Sequence, residues 1–258
     1  MKVVILAGGK GTRLQEETLI KPKPLIEIGS KPLIWHIMKI YSSFGFKEFV
    51  ICCGYKGYMI KEYFSNFSLH NSDVTINVLK NEIKIHKNNN ENWKITLIDT
   101  SEEANTGGRI LRIRDFVGDD FLLTYGDGLS NVNVLKTIKL HKEKKKLATM
   151  TIVQPPGRFG AVNFNNKNKL IKSFSEKIKG DGAWINAGFF VLNKGIFKCL
   201  KDDKTIWEKE PLEKLSKKKE LIGYKHHGFW YACDTMRDKI HLEDLWNSNK
   251  APWKTWNE

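Results

Sequence analysis

The sequence contains few cysteines, and none of them has the spacing of a metal or redox site. Four are present among 258 residues: Cys52, Cys53, Cys199 and Cys233. They form no C-x-x-C pair, and no histidine cluster shares a zinc-like spacing with them. Cys52 and Cys53 lie in the apolar run FVICC, which is typical of a buried strand. We therefore expect reduced, buried thiols.

Long hydrophobic runs are also lacking. The run at residues 3–7 is far too short for a signal-peptide core or a membrane span, and no targeting or lipidation motif stands out. The seven histidines show no Ser–His–Asp arrangement and no metal-like spacing, so we expect structural or surface positions for them. These absences predict a cytoplasmic protein that has no membrane partner.

Negative charge is in short supply, because 43 Lys and Arg outnumber 29 Asp and Glu and the formal net charge is +14. Such an excess can indicate a nucleic-acid partner. The densest basic runs, at 142–146 and 217–219, instead resemble solvated helix faces, and no basic stripe alternates with aromatic residues. We expect no nucleic-acid partner, while the positive field favours polyanionic substrates such as nucleoside triphosphates.

The alternation of apolar segments predicts the fold class. Predicted strands at 3–6 and 47–53 alternate with predicted helices at 33–44 and 56–64, which is the rhythm of a doubly wound sheet. We therefore predict an α/β fold with a mainly parallel, twisted sheet. No internal repeat or flexible linker interrupts the chain, so we predict one domain over residues 1–258.

The remaining chain continues this pattern less regularly, and prolines keep residues 21–32 out of a regular helix. Further strands are predicted at 94–98, 121–125, 147–153, 161–164 and 188–192, a hairpin at 74–80 and 83–87, and further helices at 107–117, 208–215 and 237–246.

A glycine-rich loop follows the first strand directly. Gly8, Gly9 and Gly11 allow backbone N–H groups to approach a phosphate closely. The loop lacks the Lys-Ser or Lys-Thr pair of a Walker motif, and Leu14 stands where a dinucleotide fingerprint needs its third glycine. It is followed by Arg13, a bidentate donor suited to phosphate oxygens, and by Lys23. The alternative is a plain turn that carries a surface arginine.

Several blocks of the sequence resemble known families. LAGGKGTRL followed by KPKPLIEIGSKPLIWHI resembles the signature of sugar-nucleotide pyrophosphorylases. FVICCGYKGYMIKEYF, TGGRILRI, TYGDG, PPGRFGAV, INAGFFVLN, GFW with a later DT, and APWKTW resemble the glucose-1-phosphate cytidylyltransferase family, in the same order. The resemblance runs over almost the whole chain. It implies a Rossmann-like fold with helices on both faces of the sheet, and a homo-oligomer.

The resemblance also implies a reaction. The phosphate of α-D-glucose 1-phosphate would attack the α-phosphorus of CTP, giving CDP-glucose and pyrophosphate with the help of Mg²⁺. Because the second pKa of a phosphate monoester is about 6, the nucleophile is already ionised and no general base is required. The site must instead align two polyanions and neutralise the developing charge. By resemblance Arg13 would hold the triphosphate and the departing pyrophosphate, and Lys23 would contact the α-phosphate.

Two aspartates are the metal ligands that the resemblance implies. Asp127 ends the segment FLLTYGDG, and Asp234 lies in ACDT. Mg²⁺ prefers one or two carboxylates together with phosphate oxygens and waters. The alternatives are a turn residue beside glycine for Asp127 and a helix N-cap for Asp234.

By resemblance, the segment that begins at Thr106 recognises the base and the ribose through the backbone groups of a glycine turn. Ala104 stands where a small polar side chain is expected, so that contact would use the backbone alone. The alternative for the glycine pair is simply the start of a helix. The complete set of implied nucleotide-binding residues is Leu6, Ala7, Gly8, Gly9, Lys10, Gly11, Thr12, Arg13, Lys23, Ala104, Thr106, Gly107, Gly108, Arg109, Gly126 and Asp127.

The sugar phosphate is expected to meet the second half of the chain, about 131–258, whereas the nucleotide meets about 1–130. The resemblance assigns this role to Glu176, Lys177, Asn186 and Gly188. Two departures from the family pattern are visible, Ile178 in place of a proline and Ala187 in place of a glycine.

Other hypotheses remain open at this stage. The base or the sugar could differ, as in a uridylyl- or thymidylyltransferase of the same superfamily. The chain could also be a non-catalytic nucleotide-sensing subunit, although Arg13, Lys23, Asp127 and Asp234 are all present. Trp253 and Trp256, near the C-terminus, suggest a tail that packs against a neighbouring subunit.

Overall fold

The computed structural model describes residues 1–88, 90–155, 161–164, 171–175 and 183–256. The strands are β1 (Val3–Leu6), β2 (Glu27–Ile28), β3 (Lys31–Pro32), β4 (Glu48–Cys53), β5 (Ser72–Asn77), β6 (Glu82–Asn88), β7 (Lys94–Asp99), β8 (Asp120–Tyr125), β9 (Gly128–Ser130), β10 (Ala148–Val153), β11 (Ala161–Phe164), β12 (Ile171–Ser175), β13 (Ile185–Asn193), β14 (Leu221–Lys225) and β15 (Trp230–Ala232). The helices are α1 (Gln15–Thr18), α2 (Leu33–Ser42), α3 (Gly57–Ser65), α4 (Phe67–His70), α5 (Thr106–Arg112), α6 (Val134–Lys144), α7 (Glu210–Lys217) and α8 (Met236–Asn247). Short 3-10 helices cover Thr12–Leu14, Lys23–Leu25, Arg114–Phe116 and Lys194–Cys199.

A seven-stranded sheet forms the centre of the fold, in the order β14-β10-β13-β8-β1-β4-β7. β1 runs parallel to β4 and β8, β4 to β7, and β10 to β14. β13 is antiparallel to both of its neighbours, β8 and β10. The predicted mainly parallel α/β sheet is therefore confirmed. It takes strands from both sides of residue 130, and the proposed division into halves there stays a prediction.

Helices cover both faces of this sheet. Alternate residues of its buried strands therefore pack in two different cores, one on each face. Val3 and Ile5 of β1 pack in the core beneath α2, whereas Val4 and Leu6 pack in the core beneath α5 and α7. All of β1 is buried, which agrees with its uniformly apolar sequence. The Rossmann-like arrangement that the resemblance implied is confirmed.

Most predicted elements lie where the pattern placed them, including the antiparallel hairpin of β5 and β6. The helix predicted over 107–117 was too long, since α5 ends at Arg112. The next residue, Ile113, has a non-helical backbone conformation and is fully buried. The four cysteines are free and buried, as expected. No helix in the described part of the chain has the length and apolar character needed to cross a membrane.

The C-terminal segment is part of the chain's own core. Trp253 is fully buried, and its indole Nε1–H donates to Nδ1 of His36 at 3.3 Å. Burial lowers the pKa of His36 to about 4, so its ring is neutral and its other nitrogen donates to the carbonyl oxygen of Ile28 at 2.8 Å. Trp256 is also buried, edge-on to Trp35. The expectation that these two tryptophans pack against a neighbouring subunit is therefore wrong.

Candidate active site

One cavity of about 570 Å³ opens at the carboxyl ends of β1 and β8. This is the edge of a parallel sheet at which α/β proteins bind ligands. All of the nucleotide-binding residues implied by the sequence line it, except Gly107 and Gly108. The lining residues that the sequence analysis did not single out are Pro24, Glu102, Glu103, Asn105, Tyr125 and Glu208.

The glycine loop has the backbone shape that its sequence suggested. Gly11 has a φ of 64°, in the left-handed region that favours glycine, and a Cβ there would lie 2.7 Å from Cγ2 of Thr18. The hydroxyl of Thr18 donates to the carbonyl oxygens of Gly11 and Leu14 at 3.1 and 3.0 Å. These contacts keep Arg13, in the short 3-10 helix, at the mouth of the cavity with its side chain 73% exposed.

Arg109 holds the floor of the cavity together. Its buried guanidinium donates to the carbonyl oxygen of Gly8 at 2.9 Å, to that of Ser101 at 2.6 Å and to the hydroxyl of Thr100 at 2.9 Å. It also donates to the carbonyl oxygen of Glu102 at 3.2 Å. The guanidinium of Arg109 therefore links the glycine loop to the segment that follows β7, through hydrogen bonds to backbone and hydroxyl oxygens of the protein.

Gly107 and Gly108 lie against a different part of the protein. Their N–H groups donate to the carbonyl oxygen of Thr205 at 2.9 and 3.2 Å, so both donors are already used within the protein. A Cβ on Gly108 would lie 2.5 Å from the backbone of Asp203, and one on Gly107 would lie 2.7 Å from Thr205. The geometry supports the alternative, in which this pair permits close packing at the start of α5, and does not place it in the cavity.

A cluster of four charged side chains lies at the cavity, and three of them, Arg13, Lys23 and Asp127, are among its lining residues. The ammonium of Lys23 donates to Oδ2 of Asp127 at 2.6 Å and to Oδ1 of Asp234 at 2.7 Å. Arg13 donates to the other oxygen of Asp234 at 2.8 Å. All four residues were assigned to the site from the sequence, and the structure brings them together.

Local structure explains how two aspartates so far apart in sequence meet. β9, just after Asp127, pairs with β15, just before Asp234, and Gly128 lies opposite Ala232. The N-cap of α8 is Thr235, which forms a capping box with Asp238, so the carboxylate of Asp234 is not used as a cap. It remains available to face the cavity.

The electrostatics of the cluster favour a protonated lysine. Burial alone lowers the pKa of Lys23, but the charge and hydrogen bond of Asp127, and those of Asp234, outweigh it, so the pKa is raised. The side chain of Lys23 is only 11% exposed, and its charge is balanced by the two carboxylates.

The carboxylate pair has the chemistry of a site for a hard divalent cation. Both aspartates present an oxygen to the same point, and carboxylate oxygens are the protein ligands that hard divalent cations prefer. No group of three or more His, Cys, Asp or Glu that could hold a metal ion is found among the described residues. The pair therefore fits an ion whose remaining ligands are phosphate oxygens and water.

The predicted sugar-phosphate residues are only partly described. Glu176 and Lys177 lie outside the described residues. Asn186 accepts from the N–H of Gly188 at 2.8 Å and donates to the phenol oxygen of Tyr125 at 3.2 Å. Since Tyr125 lines the cavity, Asn186 and Gly188 lie beside it, while a role in sugar binding stays a prediction.

Two lining residues that the sequence analysis missed are Tyr125 and Glu208. The phenol of Tyr125 donates to Oε1 of Glu208 at 2.6 Å. Burial, and then the charge of Glu208, raises the pKa of Tyr125, so the phenol stays protonated and can donate. Tyr125 lies within the quoted block TYGDG and could have been found there, whereas no motif marks Glu208.

Comparisons with known proteins place the chain in a family. A model of the family described as nucleotidyl transferase matches residues 2–231. The chain belongs to this family. Enzymes of this type act on a nucleoside triphosphate and a sugar 1-phosphate, and typically use a divalent metal ion.

Individual relatives agree with the resemblance read from the sequence. The chain is 54% identical to glucose-1-phosphate cytidylyltransferase of Salmonella typhimurium over 99% of its length and 100% of that protein. It is also 54% identical, with the same coverage, to the enzyme of that name from Salmonella typhi. A solved structure of UDP-glucose pyrophosphorylase complexed with UDP-glucose has a TM-score of 0.67 at 19% identity, over 96% of this chain and 98% of that one. The sequence resemblance to glucose-1-phosphate cytidylyltransferases is confirmed, and the solved structure confirms the fold.

The packing around Arg109 leads to a test with a matched pair of variants. A Cβ on Gly54 would lie 2.3 Å from Nη1 of Arg109 and 2.7 Å from the carbonyl oxygen of Gly8, whereas one on Gly9 would meet no heavy atom within 4 Å. We expect Gly54→Ala to lower the free energy of unfolding by about 1–3 kcal/mol through overpacking, measured by denaturant unfolding. Gly9→Ala is the control and should unfold like the wild type. Equal stability of the two variants would contradict the role of Arg109.

Proposed function

We propose that the protein transfers a cytidylyl group from CTP to α-D-glucose 1-phosphate, forming CDP-glucose and pyrophosphate with Mg²⁺. The observation that carries this proposal is the convergence of Arg13, Lys23, Asp127 and Asp234 at one end of a nucleotide-sized cavity. The choice of CTP and glucose 1-phosphate is supported by the names of the relatives that match the chain over its whole length.

The proposed chemistry needs charge neutralisation and alignment more than proton transfer. The attacking phosphate oxygen is ionised at neutral pH, because the second pKa of a phosphate monoester is about 6. Lys23 is protonated and would contact the α-phosphate, where negative charge rises as the new bond forms. Arg13, exposed at the mouth, would hold the triphosphate and stabilise the departing pyrophosphate through paired N–H donors.

Asp127 and Asp234 would hold the divalent cation. Mg²⁺ bound there supplies positive charge that offsets the phosphate oxygens and helps to fix their positions. In the structure both carboxylates are bound by Lys23, so the phosphates compete with the aspartates for the same ammonium. We assign Glu176, Lys177, Asn186 and Gly188 to the sugar phosphate as part of the same proposal.

The base and sugar preference is tested with the purified protein and a panel of substrates. Pyrophosphate release is measured with CTP, UTP, dTTP, ATP and GTP, each with glucose 1-phosphate and MgCl₂, and then with CTP and mannose 1-phosphate. We expect CTP with glucose 1-phosphate to give the highest kcat/KM. A higher value for UTP or dTTP would reassign the base, and no release with any pair would support a nucleotide-sensing subunit instead.

The metal assignment is tested by removing one carboxylate charge at a time. We expect Asp127→Asn and Asp234→Asn each to lower kcat by about a hundredfold or more, because the cation loses one of its two protein ligands. Asp119→Asn, at a side chain that is 78% exposed, is the control and should keep wild-type turnover. Wild-type turnover of either site variant at the MgCl₂ concentration used for the wild type, or persistence of wild-type turnover in excess EDTA, would argue against these ligands.

We infer that the protein is a homo-oligomer and that the hairpin of β5 and β6 contributes to the contact. Ile76 lies opposite Ile83, both are more than half exposed, and an isolated two-stranded hairpin is marginally stable. A second copy would bury this apolar face.

The cytoplasmic location also stays a prediction.

Light scattering checks the oligomer. We expect Ile76→Glu with Ile83→Glu to lower the mass in solution, since two carboxylates cannot be buried without partners at an apolar contact. Thr75→Glu, on the opposite face of the same hairpin, is the control and should keep the wild-type mass. An unchanged mass for the double variant would remove the hairpin from the contact.

A further inference from the structure

Glu208 is a carboxylate in the cavity that no step of the proposed reaction uses. It follows the fully buried Trp207, precedes α7, and is exposed to the cavity that it lines. No Lys, Arg or His of the described residues forms an ion pair with it, whereas Asp127 and Asp234 are both paired. It is therefore an uncompensated negative charge in a cavity expected to hold a triphosphate.

The position of this carboxylate is set by two hydroxyl groups. Tyr125 donates to Oε1 at 2.6 Å, and Thr106 donates to Oε2 at 2.6 Å. The direction of both bonds is settled by the other partners. The hydroxyl oxygen of Thr106 accepts from the N–H of Trp207, and the phenol oxygen of Tyr125 accepts from Asn186.

These two bonds leave Glu208 with accepting capacity. An ionised carboxylate can accept about four hydrogen bonds, two at each oxygen, and one at each is occupied. A triphosphate offers no proton to it and would be repelled. Of the groups that a nucleotide offers, those that suit Glu208 are therefore its neutral hydrogen-bond donors.

The location within the cavity indicates which donor this is. Tyr125 is the last residue of β8, two residues before Asp127 at the phosphate end. Thr106 begins α5 and follows Ala104, at the end assigned to the base. Glu208 touches both, so it lies between the two ends. In a nucleoside triphosphate the ribose lies between the phosphates and the base, and its 2′- and 3′-hydroxyls are neutral donors.

We propose that Glu208 accepts hydrogen bonds from the ribose hydroxyls of the bound triphosphate and makes the protein select ribonucleotides over deoxyribonucleotides. The inference rests on the proposed function, since it needs CTP as the substrate. Glu208 is then a specificity-determining residue, held ready by Tyr125 and Thr106 before the nucleotide arrives.

The experiment compares three nucleotides in three proteins. The kcat/KM for pyrophosphate release is measured with CTP, 2′-deoxy-CTP and 3′-deoxy-CTP, at saturating glucose 1-phosphate and MgCl₂, for wild type, Glu208→Gln and Glu210→Gln. Glu210 is the matched control, because it carries the same charge two residues along and pairs with Lys201 outside the cavity. UTP and the KM for glucose 1-phosphate are measured in the same series.

We expect wild type to prefer CTP over at least one deoxy analogue by about tenfold or more, the effect of one hydrogen bond to a charged group. Glu208→Gln should lower kcat/KM for CTP and bring that ratio close to one, whereas Glu210→Gln should keep the wild-type ratio. Glu208→Ala, whose folding is checked by thermal unfolding, should repeat the loss of preference.

Other outcomes overturn the proposal. An equal loss with all three nucleotides in Glu208→Gln would show that Glu208 only positions Tyr125 and Thr106. If Glu208→Gln shifted the preference toward UTP but left the ratio of CTP to its deoxy analogues unchanged, Glu208 would contact the base. If the variant raised only the KM for glucose 1-phosphate, Glu208 would contact the hexose. Equal use of CTP and both analogues by wild type would also reject the proposal. No turnover of CTP by wild type would instead overturn the proposed function.

Discussion

The site depends on a single buried ammonium between two carboxylates. Lys23 is bonded to Asp127 and to Asp234, and these three residues belong to three separate segments of the chain. A charge this poorly exposed is tolerable only when it is paired, so the pairing keeps the three segments in place while the cavity is open to solvent. In the proposed reaction, phosphates that draw the ammonium toward them would release two carboxylates for a cation.

Arg109 is also a positively charged side chain, but it binds backbone carbonyl oxygens, whereas Lys23 binds two carboxylates. Its guanidinium is directed at peptide carbonyl oxygens of the glycine loop and of the segment after β7, so it acts as a rigid brace. The absence of side chains at Gly8 and Gly54 is what lets it approach so closely. Arg13 is exposed and faces the mouth, where it can move onto a ligand. Both residues are arginines, so their burial separates them: Arg109 is buried and bonded to backbone carbonyls, whereas Arg13 is exposed.

The sequence predicted those parts of the site that local pattern or family motif encodes. β1 is uniformly apolar and is followed by a glycine-rich loop, and the hairpin of β5 and β6 alternates, so the sequence pattern located both. The meeting of Asp127 with Asp234 depends on two three-residue strands, β9 and β15, which are too short to produce a periodic signal. Glu208 was missed because its place is set by contacts with Tyr125 and Thr106, about 80 and 100 residues away along the chain. Trp253 was misjudged because composition cannot distinguish burial within a chain from burial between chains.

The distribution of acidic groups in the cavity follows from the charge of its ligands. Two carboxylates, those of Asp127 and Asp234, are paired with Lys23 or Arg13 at the place where we propose that a cation is held. Another lining carboxylate, that of Glu208, is fixed by two neutral hydroxyls. A lysine paired with that carboxylate would compete with a hydroxyl of the ligand for the carboxylate oxygens. Neutral donors hold it in place and leave its charge available. Hydroxyl groups, in place of cations, therefore suit the part of the cavity that we propose recognises the ribose.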